Sequence, residues 1–199
     1  MRFVLASASP ARLVTLHRAG VAPEVLVSGI DEDRITATSA AELTQSLAAE
    51  KAAAVADRLS GPALVLGCDS LLEFDGQALG KPGTRAAAVA RWQELRGRSG
   101  VLHTGHCLID VVSGRTAAAV ASTTVHFADV TDEEIELYCA TDEPAGVAGA
   151  FTIDGLGGWF VTGVEGDPHT VVGLSLPLLR RLLGELGHSL RDIGYPVRS

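Results

Sequence analysis

The chain has 199 residues, of which 47% are hydrophobic and 20% charged, with a formal net charge of −8. A mean hydropathy of +0.26 over this length excludes a disordered chain and fits one large domain or two lobes around a shared core. The acidic balance argues against duplex nucleic acid as a partner, no apolar run reaches the roughly 18 residues of a membrane span, and three dispersed cysteines (Cys68, Cys107, Cys139) argue against a disulfide framework and for a reducing cytoplasm.

In chain order, Phe3–Ala6 reads as a buried strand, and Ser9 with Pro10 as the cap and first position of a helix that stops at Gly20. A strand at Val25–Ser28 leads to the acidic loop Asp31-Glu32-Asp33. Ser39 with Glu42 forms a capping-box pattern before an alanine-rich helix that ends near Leu59. Ala63–Gly67 is a continuous apolar run, the mark of a strand covered on both faces. Ser70–Phe74 continues it to a hairpin turn at Asp75-Gly76. Thr84 caps a helix to Leu95, Val101–Val112 and Arg115–Phe127 form a long hairpin, and Thr131 with Glu134 caps another helix. A strand is expected at Trp159–Val161 within a glycine-rich segment, a last helix at Leu176–Leu186, and a loosely attached tail after Gly187. The pattern is α/β, with helices covering a long mixed sheet.

The chemistry begins with lysine usage. Fourteen of the sixteen basic residues are arginine, and the only two lysines are Lys51, inside a helix, and Lys81, in Leu79-Gly80-Lys81-Pro82. A compact ammonium in an arginine-built chain points to a specific need, although chance explains either lysine equally well. Ser7-Ala8-Ser9-Pro10-Ala11-Arg12 places two hydroxyls, free helix amides and a guanidinium at one helix start, an anion-binding arrangement or an ordinary capped helix. Arg12 there opposes the helix dipole by about 0.3–1 kcal/mol, a penalty that a bound phosphate reverses. Asp69 interrupts the apolar run Leu64–Leu72, so it needs a cation, a metal or a catalytic role, and Gly67 before it permits close approach of a ligand or backbone. Glu32 belongs to an acidic cluster that suits Mg²⁺ or a solvated loop. His103 and His106 match no zinc spacing and fall on opposite strand faces, so they read as structural.

Taken in order, Leu5–Pro10, Asp31-Glu32, Ala48–Ala52, Gly67-Cys68-Asp69-Ser70, Leu79–Pro82, His103-Thr104-Gly105, Glu143-Pro144, Ala148–Phe151 and Val172-Gly173-Leu174 resemble the Maf family of nucleotide pyrophosphatases, over roughly residues 3 to 183. The resemblance implies an inosine-triphosphate-pyrophosphatase-like α/β fold, with two lobes around a nucleotide cleft and a homodimer. It also implies hydrolysis of nucleoside triphosphates to monophosphate and pyrophosphate with Mg²⁺ or Mn²⁺. Asp69 matches the catalytic base and a metal carboxylate, Glu32 a catalytic residue and second metal carboxylate, and Lys81 a catalytic cation that contacts phosphate. Ser7, Ser9, Arg12, Lys51, Ser70 and Asp154 match substrate-binding positions. The chain departs from the family at Ala11, where a second arginine is common, and at Val147 and Asp154, where thymidine- and uridine-type members carry lysine and glutamine. Gly155-Leu156-Gly157 and Asp167-Pro168 are similar to members acting on 7-methyl-GTP, so base preference stays open. A nucleotide-binding regulator of cell division and a nucleotidyltransferase are the alternatives.

Overall fold

Three twelve-residue strands form the spine of the molecule: β3 (Ala63–Phe74), β5 (Ser99–Asp110) and β6 (Thr116–Phe127). The computed structural model describes residues 1–196. β3 runs antiparallel to β5, with Asp69 opposite Gly105, and β5 turns into β6 with His103 opposite Ser122. β1 (Arg2–Leu5) lies parallel to β3 and to β2 (Glu24–Val25), while β7 (Val161–Glu165) closes the other edge against β6. The seven-stranded mixed sheet has the order β2-β1-β3-β5-β6-β7, with β4 (Gln77–Leu79) also on β3.

That shared edge of β3 positions everything that follows. β1 occupies it as far as Leu66, where Ala6 N–H still reaches the Leu66 carbonyl at 2.8 Å. β4 takes it up again at Leu72. Between them, residues 67–71 have no strand partner on this edge among the described residues, and Asp69 stands in the middle of the gap.

Helices cover the two faces unequally. On one face, Leu64, Leu66 and Leu108 pack under Leu16 of α1 (Pro10–Arg18) and under Leu179, Leu182 and Leu183 of α6 (Leu176–Glu185). Farther along the same face, Leu72, Phe74, Leu102 and Phe127 pack under Trp92 of α3 (Arg85–Leu95) and Ile135 of α4 (Asp132–Cys139). Trp92 anchors this second cluster by meeting Phe127 and Tyr138 edge-on and donating its indole N–H to the Ala150 carbonyl at 2.8 Å. On the opposite face, α2 (Ala40–Ala56) lays Ala48, Ala52 and Val55 over Val65, Val4 and Cys107.

Small residues let α2 sit this close. A Cβ on Gly67 would collide with the Ala48 carbonyl oxygen and lie 2.8 Å from Ala52 N, and one on Gly105 would strike the backbone of Thr44. The close approach that Gly67 permits is therefore to backbone. Gly67→Ala is expected to force α2 off the sheet and to cost about 3 kcal/mol, the upper end of ordinary overpacking. An unchanged urea midpoint contradicts this.

Several boundaries differ from the sequence expectation, each for a local reason. Ser39 accepts the Glu42 N–H at 3.2 Å, but the Glu42 carboxylate turns to the Thr38 N–H, so only half of a capping box forms; at Thr131 and Glu134 both halves form. The second strand is two residues long, Glu24–Val25. Trp159 belongs to a 3-10 turn (Leu156–Phe160) and is 86% exposed, so the strand starts only at Val161, where the chain meets β6. An unforeseen helix, α5 (Pro168–Val172), is started by Asp167, whose carboxylate accepts the His169 N–H at 3.0 Å. As far as residue 196 the tail is attached, since a capping box between Ser189 and Asp192 closes a 3-10 turn that buries Ile193 against the α6 cluster; residues 197–199 lie outside the described residues.

Candidate active site

Lys51 lies three residues beyond Ala48 on the sheet-facing side of α2, which carries its ammonium from Gly67 to the next same-face position of β3, Asp69. Its Nζ donates to Asp69 Oδ1 at 2.6 Å and lies 2.8 Å from Glu32 Oε1. Lys51 and Asp69 are both buried, whereas the Glu32 side chain, on a 3-10 turn at Glu32–Arg34, is half exposed. One ammonium thus serves two carboxylates, and the trio keeps a net negative charge that a further cation would balance.

Arg12 is the second centre. It is 8% exposed, on the inner face of α1. Its Nε donates to the Gly173 carbonyl at 2.8 Å, Nη1 to Ser7 Oγ at 2.8 Å and Nη2 to Ser70 Oγ at 3.1 Å. All three acceptors are neutral, and no carboxylate pairs with Arg12 among the described residues. Burying a guanidinium without a counter-charge is costly. Ser7 Oγ accepts from Arg12 and from the Ser9 N–H at 3.2 Å, which leaves its own proton to give. Ser9 occupies the cap position, yet its side chain makes no capping bond.

Lys81 and Asp154 stand farther out. Lys81 is exposed in the loop after β4, and extending the Leu72–Leu79 register places its backbone level with Ser70. That loop is held by Gly149 N–H on the Gly80 carbonyl at 3.2 Å and Gly83 N–H on the Ala145 carbonyl at 3.0 Å. Asp154 is not part of the Lys51–Asp69 cluster; it borders a groove of about 370 Å³ with Thr15 and Arg18 of α1 and His169 of α5.

Glu143 had no role in the sequence reading beyond its place in a motif. Its carboxylate accepts from Tyr138 Oη at 2.8 Å, Thr152 Oγ1 at 2.7 Å, Leu156 N–H at 3.0 Å and Gly157 N–H at 2.9 Å. Partial burial works against its ionisation, but these donors together hold its pKa below the usual carboxylate range. It fixes the segment that carries Asp154, and its contacts span up to fourteen residues with no periodic signal.

The side chains of His103 and His106 are both buried and hydrogen-bonded within the sheet region. His103 bridges Ser122 Oγ and Glu73. His106 accepts the Ser175 N–H at Nε2 (2.9 Å) and therefore carries its proton on Nδ1, donated to the Thr104 carbonyl at 3.0 Å. Burial, aided by the nearby Arg12 charge, pushes its pKa from 6.5 down to about 4. Across that window the unfolded chain takes up a proton that the folded chain refuses. Folding stability is therefore expected to fall by roughly 3 kcal/mol as pH drops from 6.5 to 4. In urea unfolding at pH 7 and 4.5, His106→Gln should remove this part of the acid loss; an identical loss in both proteins contradicts the assignment.

The described residues hold no group of three or more His, Cys, Asp or Glu side chains placed to bind a metal. Glu32 and Asp69 each keep one oxygen outside the bonds to Lys51. Two carboxylates fit an open Mg²⁺ or Mn²⁺ site completed by substrate oxygens. All three cysteines are buried and unpaired, and among the described residues no helix is long and apolar enough to cross a membrane.

The fold is α/β, and its sheet gap brings together a buried arginine on neutral acceptors and a lysine shared by two carboxylates. Residues 2–186 match the family described as Maf-like protein, and the chain belongs to that family. It is 65% identical over 191 residues to a protein of Salinispora tropica named nucleoside triphosphate pyrophosphatase, covering 94% of this chain and 84% of that one. A Streptomyces coelicolor protein of the same name is 55% identical, covering 98% of this chain and 96% of its own length. Among solved structures, the Staphylococcus aureus Ham1 protein aligns at 15% identity with a TM-score of 0.48, over 98% of this chain and 94% of that one.

Proposed function

We propose that this chain hydrolyses nucleoside triphosphates, canonical or modified, between the α- and β-phosphates, releasing nucleoside monophosphate and pyrophosphate. The relatives' shared name supports the reaction type. The observation that carries it in this chain is Arg12, a buried guanidinium held only by neutral acceptors. In this reading the whole chain is one catalytic domain whose two halves flank the β3 gap.

Arg12, the Ser7 hydroxyl and Lys81 bind the phosphates and offset the charge that builds on the departing pyrophosphate. Lys51 fixes Asp69 through Oδ1, which leaves Oδ2 to orient a water and take its proton as it attacks the α-phosphorus. Asp69 and Glu32 would hold a divalent Mg²⁺ or Mn²⁺ ion, which when bound supplies Lewis-acid neutralisation of phosphate charge. The test is incubation with a panel of canonical and modified nucleoside triphosphates plus Mg²⁺ or Mn²⁺, with a chelator control. Pyrophosphate release that the chelator abolishes is expected. Orthophosphate release, or release only with an added acceptor, overturns the reading.

A further inference from the structure

His103-Thr104-Gly105 leaves Thr104 without a role in the scheme above, yet Thr104 is fully buried and pairs with Ser70, within the gap segment of β3. Its Oγ1 is 2.8 Å from the Thr170 carbonyl and 2.8 Å from Ser70 Oγ. The directions of these bonds follow by elimination. A carbonyl only accepts, so the single Thr104 hydroxyl proton goes to Thr170, and Ser70 must donate to Thr104. A guanidinium only donates, so Ser70 Oγ accepts from Arg12 Nη2 at 3.1 Å. The chain then closes on itself, because Gly173 N–H donates to the same Thr170 carbonyl at 3.0 Å and the Gly173 carbonyl accepts from Arg12 Nε at 2.8 Å. Gly173 adopts φ 109°, and a Cβ there would crowd Arg12 Nε at 3.3 Å and Ser70 Oγ at 3.4 Å, so the ring also fixes the residue type at its corner.

We propose that Thr104 is a positioning residue for the phosphate-binding arginine: by accepting the Ser70 O–H it commits that proton away from Arg12, leaves a Ser70 lone pair to accept from Nη2 and locks the plane of the Arg12 guanidinium. The inference rests on the reading of Arg12 as a phosphate ligand. It also moves Ser70 behind Arg12, as a support for the guanidinium, and leaves Ser7 as the serine that donates to phosphate. With Nε, Nη1 and Nη2 each holding one acceptor, the plane of the fork is fixed and one N–H on each terminal nitrogen remains for a phosphate.

The test measures binding of inorganic pyrophosphate by calorimetry and turnover of a nucleoside triphosphate on the full-length protein. Thr104→Val, close in shape but without the hydroxyl, is expected to weaken pyrophosphate binding and lower kcat/KM by about tenfold each, and Thr104→Ser to stay within about threefold of wild type. In an Arg12→Met background, Thr104→Val should have no further effect, an outcome that a general packing defect would not give. If Thr104→Val does not fold, Ser70→Ala, which breaks the chain one bond nearer the arginine, carries the same expectation. Wild-type binding in Thr104→Val, or a loss that adds in full to that of Arg12→Met, overturns the proposal and leaves the Arg12 reading standing. A wild-type protein that does not bind pyrophosphate overturns both.

Discussion

Asp69→Asn is expected to fold at least as stably as wild type and to lose kcat by about 10²- to 10⁴-fold, the range removed with a positioned general base and equivalent to roughly 3–5 kcal/mol of barrier. The two halves of this expectation have separate causes. Stability survives because Lys51 is not orphaned: Glu32 Oε1 remains 2.8 Å from its ammonium, and a two-to-one excess of carboxylate becomes a balanced pair. Activity does not survive, because the amide keeps the shape but cannot take a proton from water. Undiminished turnover removes the base assignment, and a collapse of stability shows that the aspartate is there only to neutralise Lys51.

Arg12→Met is expected to lower kcat/KM by about 10²- to 10³-fold while leaving the melting temperature of the ligand-free protein equal or higher. A buried charge with three neutral acceptors costs stability in the empty protein and repays it only when an anion arrives. Linkage makes this measurable: at pyrophosphate near 100 times its Kd, wild type should gain about 2.7 kcal/mol, and Arg12→Met should gain almost none. Arg12→Lys should behave like Arg12→Met in turnover, because one ammonium cannot reach Ser7, Ser70 and the Gly173 carbonyl with the geometry of a fork. Equal stabilisation of both proteins by pyrophosphate contradicts the assignment of Arg12 as an anion ligand.

The parts of this site that show in the sequence are those where a residue type is out of place. Asp69 breaks an apolar strand, and a lysine is rare in a chain that otherwise uses arginine. In the fold, Lys51 and Asp69 meet at 2.6 Å. The period-two rule likewise assigns His103 and His106 to opposite faces without any coordinates. The gap that frames Asp69 is different in kind. It exists because β1 and β4, far apart in sequence, each take part of the same edge of β3, and strand pairing of that sort leaves no mark on either segment alone. The Glu143 carboxylate is hidden for the same reason, since its donors come from Tyr138, Thr152, Leu156 and Gly157 with no common spacing. α5 is too short, at five residues, to show a helical period, and the apolar run at Trp159–Val161 looks like a strand although Trp159 faces solvent. Local propensity reads elements whose cause is local, and misses those imposed by tertiary contacts.

Isotope labelling of the attacking water tests the central claim, cleavage at the α-phosphorus, most directly. With turnover in ¹⁸O-water and Mg²⁺, a single label is expected in the nucleoside monophosphate and none in the pyrophosphate. Label in pyrophosphate or orthophosphate would place the attack on another phosphorus and contradict the account.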